Sequence, residues 1–110
     1  MATAYSLAQV QGTASVGTYA TLTSTSASQT AVVSSISVCN TTASAQTFRI
    51  GVMATEGSPA AGNWIVYGAN VPASDTVFLT VGLTLGNTKY VRVSSSNSGV
   101  DFSASVAVIT

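Results

Sequence analysis

The sequence predicts an all-β fold, an antiparallel β-sandwich of about seven or eight strands, on three observations. Ser, Thr, Ala and Val dominate while Leu and Glu are scarce, a usage that suits strands and turns better than helices. Apolar residues recur at alternate positions in segment after segment, which is the period of a half-buried strand. Turn-forming clusters interrupt these segments at spacings of about ten residues, as in sandwiches. The 110 residues fit a single domain, 1–110, with length enough to bury about two thirds of its unfolded surface.

Taken in order, Ala4–Gln11 and Thr18–Thr23 are expected as two edge strands. The polar Ser/Thr run over 23–30 leaves an extended N-terminal arm over 1–30 as the alternative. In 31–40, Val32, Ile36 and Val38 fall on one face, and Cys39 beside them is expected as a small buried hydrophobe. In 46–53, Phe48, Ile50 and Val52 share a face and Arg49 points the other way. Segment 63–70, Asn-Trp-Ile-Val-Tyr-Gly-Ala-Asn, is apolar on both faces, so it is expected to be covered on both sides or to lie at an interface. Alternation returns as Val77, Leu79, Val81 and Leu83, as Val91 and Val93, and as Val100, Phe102, Ala104, Val106 and Val108. Breaks fall at 40–44, 56–62, 72–75, 86–87 and 96–99, where Gly, Pro, Asn, Asp and Ser gather. The run from Leu83 through Gly86 to Tyr90 and Val93 resembles the turn before strand F of immunoglobulin-like and fibronectin type III domains, where a tyrosine bonds back to the turn. The sandwich is therefore expected to be immunoglobulin/fibronectin III-like or a jelly roll.

Charge decides what this chemistry is not. Charged residues are 5% of the chain against a typical value of about 25%, and Arg49, Lys89 and Arg92 balance Glu56, Asp75 and Asp101. Three scattered cations do not make a phosphate-binding surface, so nucleic acid is not an expected partner. The absence of histidine removes the Ser-His-Asp and Cys-His arrangements, the imidazole base and every His-containing metal site. Cys39 is the single thiol, so neither a redox pair nor an intrachain disulfide exists. Glu56, Asp75 and Asp101 show neither a paired-carboxylate nor a calcium-loop pattern, and the glycines form no phosphate-cradling motif. Asn40-Thr41-Thr42 matches a glycosylation triplet but reads more simply as the polar end of a strand. The expectation is a non-enzymatic chain with no catalytic residue, no metal and no cofactor.

No apolar run approaches the roughly 20 residues of a membrane span, and Met1-Ala2-Thr3 opens without a secretory pattern, so synthesis in the cytoplasm is expected. Such a sparsely charged surface repels its own copies weakly, which suits a part of a fixed assembly. The candidate interface residues are Tyr5 and Leu7, in a segment with no charge to guard its edge, and Trp64 and Tyr67, which are too large to be spent on a loop. An exposed Trp64–Tyr67 face would also suit a carbohydrate.

The stretches Val32-Val-Ser-Ser-Ile-Ser-Val-Cys-Asn40, Phe48-Arg-Ile-Gly-Val52, Trp64-Ile-Val-Tyr67 and Val71-Pro-Ala-Ser-Asp-Thr-Val-Phe-Leu-Thr-Val-Gly-Leu83 together resemble small virion structural proteins of tailed bacteriophages, those of cyanophages and marine phages especially. The resemblance spans roughly 30–110; Gly68 stands where that group usually has an acidic residue, and the first thirty residues carry none of its pattern. It implies a virion location, with three addresses: a capsid decoration (cement) protein, a tail fibre or spike component, or a baseplate part. Decoration implies the major capsid protein and copies of this chain as partners, and a homo-oligomer on the capsid surface.

Overall fold

In the computed structural model, which describes residues 2–110, eight strands follow one another: β1 (Thr3–Gln11), β2 (Ala20–Ser24), β3 (Thr30–Asn40), β4 (Gln46–Met53), β5 (Trp64–Val71), β6 (Thr76–Leu85), β7 (Tyr90–Ser95) and β8 (Val100–Ile109). They form two four-stranded sheets, in the orders β1-β8-β3-β6 and β2-β7-β4-β5. Every pairing is antiparallel. The chain crosses between sheets at every connection but β4–β5, which gives the two interlocked Greek keys of a jelly roll. The immunoglobulin-like alternative is thereby set aside. The turn that suggested it is held by Thr25 rather than by Tyr90: Thr25 Oγ1 accepts from Lys89 N at 3.0 Å and donates to the Gly86 carbonyl at 2.6 Å.

The inward faces make one core. Phe48 of β4 and Phe102 of β8, both fully buried, meet edge to face across the two sheets with ring centroids 6.1 Å apart. Ile36, Val38, Ile50, Val91, Val93 and Val100 close around them. Alternation locates all of these correctly because a strand in a two-layer sandwich must turn one face in and one face out.

Three expectations change, each for a local reason. Val32 points outward and is exposed, whereas Ala31 and Val33 are buried. A bulge between Val33 and Ser35 inserts an extra residue relative to β8, so the phase that buries Ile36 and Val38 is reversed ahead of it. Cys39 is half-buried on the outer face, level with Asp101 and Thr76, and not among the core residues beside it. Segment 63–70 is not covered on both sides within the chain: β5 is an edge strand with Ile65 and Tyr67 exposed. It departs from alternation because two bulges interrupt its pairing with β4. One bulge contains Gly68 at φ +76°, a left-handed conformation that costs a branched or bulky residue strain, which accounts for glycine at this position.

Residues 2–30 supply two strands of the sandwich, β1 and β2, rather than an extended arm. β1 and β2 are outer strands of different sheets, and the chain crosses between them at Gly12–Thr13. A side chain on Gly12 would run into the Ser95 hydroxyl and the Val100 carbonyl, so this close approach requires glycine. Thr13 and Ser95, both buried, exchange backbone and hydroxyl hydrogen bonds of 2.9–3.2 Å. Asn40 is also buried, and its amide donates to the carbonyls of Ser44, Val71 and Pro72, so the glycosylation triplet is closed at its asparagine.

Candidate functional site

The four candidate interface residues separate into two pairs on opposite sides of the sandwich. Tyr5 and Leu7 lie on the outer face of β1-β8-β3-β6, while Trp64 and Tyr67 belong to β5 of the other sheet.

The registers lay out the first face row by row. Tyr5 stands level with Ala107, Val32 and Thr84; Leu7 with Ser105, Ser35 and Thr80; Gln9 with Ser103, Ser37 and Phe78; Gln11 with Asp101, Cys39 and Thr76. Small side chains occupy the two central strands and the large apolar ones stand at the outer strands, Tyr5 84% and Phe78 78% exposed. With neighbouring strands about 4.8 Å apart, the result is a broad, shallow surface whose one charge in these rows is Asp101. Val32 and Phe78 join it as residues that were not among the candidates; Phe78 was signalled by its place between Val77 and Leu79.

The strand edges differ as well. β2 is five residues long and bulged, β5 carries two bulges, and β6 is interrupted opposite Ser34, next to Gly82 at φ +56°. Short and bulged edges resist pairing with a foreign strand. β1 instead runs nine residues in unbroken register with β8 and contains no Lys, Arg, Asp, Glu or Pro. Residues 3–7 are exposed on both faces, while Ala8 and Val10 pack against the core. One edge of β1 is therefore committed to β8 and the other offers its backbone groups to a partner.

On the other side of the molecule, Trp64 and Tyr67 do come together, edge to face at 4.9 Å between centroids. They do not form a flat aromatic floor, because their rings are inclined at 70°. Tyr19, brought in from the β1–β2 connection, adds a third ring 6.1 Å from Trp64. The Arg49 guanidinium sits among them, 4.2 Å from the Tyr67 ring centroid and 5.7 Å from that of Trp64, an arrangement in which the ring faces attract the cation. Period two places Arg49 outward, but its company depends on a residue thirty positions earlier in a loop, which no local pattern encodes.

Chemically, both surfaces are suited to contact. Among the described residues no group of three or more His, Cys, Asp or Glu gathers where a metal could be held. No family model and no curated protein matches this sequence. Its fold is similar to that of a chain in the crystal structure of the T13 IBDV viral particle, with a TM-score of 0.56 and 12% identity over 96% of this chain. It is similar also to a chain in the structure of infectious bursal disease virus Gx strain, with a TM-score of 0.54 and 14% identity over 97% of this chain. The present chain spans 30% and 31% of the length of those two chains. At such identities the likeness is one of fold.

Proposed function

We propose that the protein is a non-enzymatic virion structural protein, and that it decorates a phage capsid by binding the outer shell and bridging neighbouring major capsid subunits. The observation that carries this reading is the face of β1-β8-β3-β6: broad, shallow, almost without charge, and bordered by the unguarded edge of β1. The fold likeness to chains of viral particles and the resemblance of 30–110 to phage virion proteins support it. Attachment would join strand addition at β1 to apolar contact through Tyr5, Leu7 and Phe78. A ligand that binds only the assembled lattice stabilises it by mass action, and repetition over many sites multiplies modest contacts.

The copy number of the chain per particle, relative to the major capsid protein, tests the assignment. Hundreds of copies, on the order of one per few capsid subunits, are expected; a handful would place the chain in the tail and overturn decoration. The surface is tested by Leu7→Asp, which puts a charge at an exposed position and is expected to leave a folded protein that no longer attaches. Removing residues 1–11 is the poorer experiment: it would uncover β8 along its length and strip Ala8 and Val10 from the core.

A further inference from the structure

The two outward arginines of the second sheet, Arg49 and Arg92, are held in opposite ways. Arg92 is satisfied through each of its nitrogens: Nε donates to the Gly57 carbonyl at 3.2 Å, Nη1 to the Thr21 hydroxyl at 2.7 Å and Nη2 to the Tyr19 carbonyl at 3.4 Å. It fastens the β1–β2 and β4–β5 connections to the sheet. Arg49 makes one long bond, Nη1 to the Tyr19 hydroxyl at 3.5 Å, and its Nε is buried without a partner among the described residues. Directly across the ladder, Ser94 is level with Arg49, and its hydroxyl is the other buried side-chain polar atom left unpartnered among them. A guanidinium with a buried N–H that no group meets is costly for folding. Its fork is the geometry that grips an oxyanion bidentately.

We infer that Arg49, with Tyr67 and Asn70, forms a binding site for an acidic saccharide on the face opposite the β1-β8-β3-β6 surface. The carboxylate of a uronic acid would take the outer N–H groups of Arg49. Tyr67, 63% exposed beside it, offers apolar ring surface to the pyranose. Asn70, exposed and level with Thr47 on the same outward face, supplies an amide for sugar hydroxyls. A carboxylate borne by a protein partner would satisfy Arg49 equally, but it has no use for the ring and amide together; this combination favours the saccharide. The inference is independent of the capsid reading, because it concerns the isolated chain.

Trp64 is the single tryptophan and lies within the cluster, so its fluorescence reports occupancy directly. Titration of the purified protein with glucuronate is expected to give a saturable change in the range of about millimolar, with glucose, acetate and inorganic phosphate each weaker by about tenfold or more. Arg49→Gln and Tyr67→Ala are each expected to weaken glucuronate binding about tenfold while keeping the wild-type thermal transition. If Arg49→Gln fails to fold, Tyr67→Ala decides, since an exposed ring is dispensable to the core. A flat titration overturns the site, as does glucuronate binding retained in Tyr67→Ala. Acetate, phosphate or a glutamate-rich peptide binding as tightly as glucuronate overturns the saccharide assignment.

Discussion

The two outer faces of the sandwich are built on the same inward plan and dressed differently. Both sheets bury Val, Ile and Phe at alternate positions, and Phe48 and Phe102 join them at the centre. Outward, β1-β8-β3-β6 shows small hydroxyl and methyl groups in rows with apolar side chains at its margins, while β2-β7-β4-β5 carries Arg49 among the aromatic rings and Arg92 bonded to the β1–β2 and β4–β5 connections. Since the core is formed by the inward residues, the two outward faces are free to differ. A bare apolar face suits another protein surface, and a cation held among rings suits a small polar ligand.

The sharpest way to break this comparison is to truncate the same residue type inside and outside. Phe48→Ala is expected to destabilise the protein by about 3–5 kcal/mol through the cavity it leaves. Phe78→Ala is expected to stay within about 0.5 kcal/mol, as for other exposed sites. Urea denaturation of the two variants reads both values, and a large cost for Phe78→Ala would mean that the outer face does contribute to folding. A smaller effect on stability, with a large one on assembly, is expected from placing a lysine on each face. Ser105→Lys and Ser24→Lys both occupy exposed outward positions, so neither should shift the thermal midpoint by more than a few degrees. Particle co-sedimentation should be lost for Ser105→Lys alone. Least of all should change with salt: attachment through apolar and backbone groups is expected to persist from about 0.15 M to about 1 M, where the Debye length shrinks from about 8 Å to about 3 Å. Release of the protein from particles over that range would show that charge holds it.

How much of this was legible beforehand follows from the range of each determinant. Phe48, Ile50, Val91, Val93, Phe102, Ala104 and Val106 were placed by period two because burial on one face is a local pattern. Val32 was misplaced because a bulge at Ser34 reverses the phase, and no residue type around Ser34 announces it. The choice between immunoglobulin-like and jelly-roll topology was out of reach, since it rests on which strands pair, such as β1 with β8. The turn at Gly86–Tyr90 misled because its clasp is Thr25, some sixty residues earlier. Of the candidate sites, Trp64–Tyr67 was visible as bulk too large for a loop and Tyr5–Leu7 as part of a strand with no charge to guard its edge. Arg49 was visible only as a residue facing away from the core, for its aromatic neighbours are assembled from two distant segments.

The β1–β8 ladder has a kinetic consequence. Thr3 pairs with Ile109 and Gln11 with Asp101, so β1, synthesised before the other seven strands, cannot find its place until β8 exists. Pairings this distant in sequence slow folding toward the millisecond-to-second range of about the slowest small domains, and meanwhile an uncharged, unguarded strand stands open to any chain nearby. The edge that the proposed attachment would use thus leaves the nascent chain open to premature pairing. High-level production at elevated temperature should therefore favour aggregates nucleated at residues 3–11.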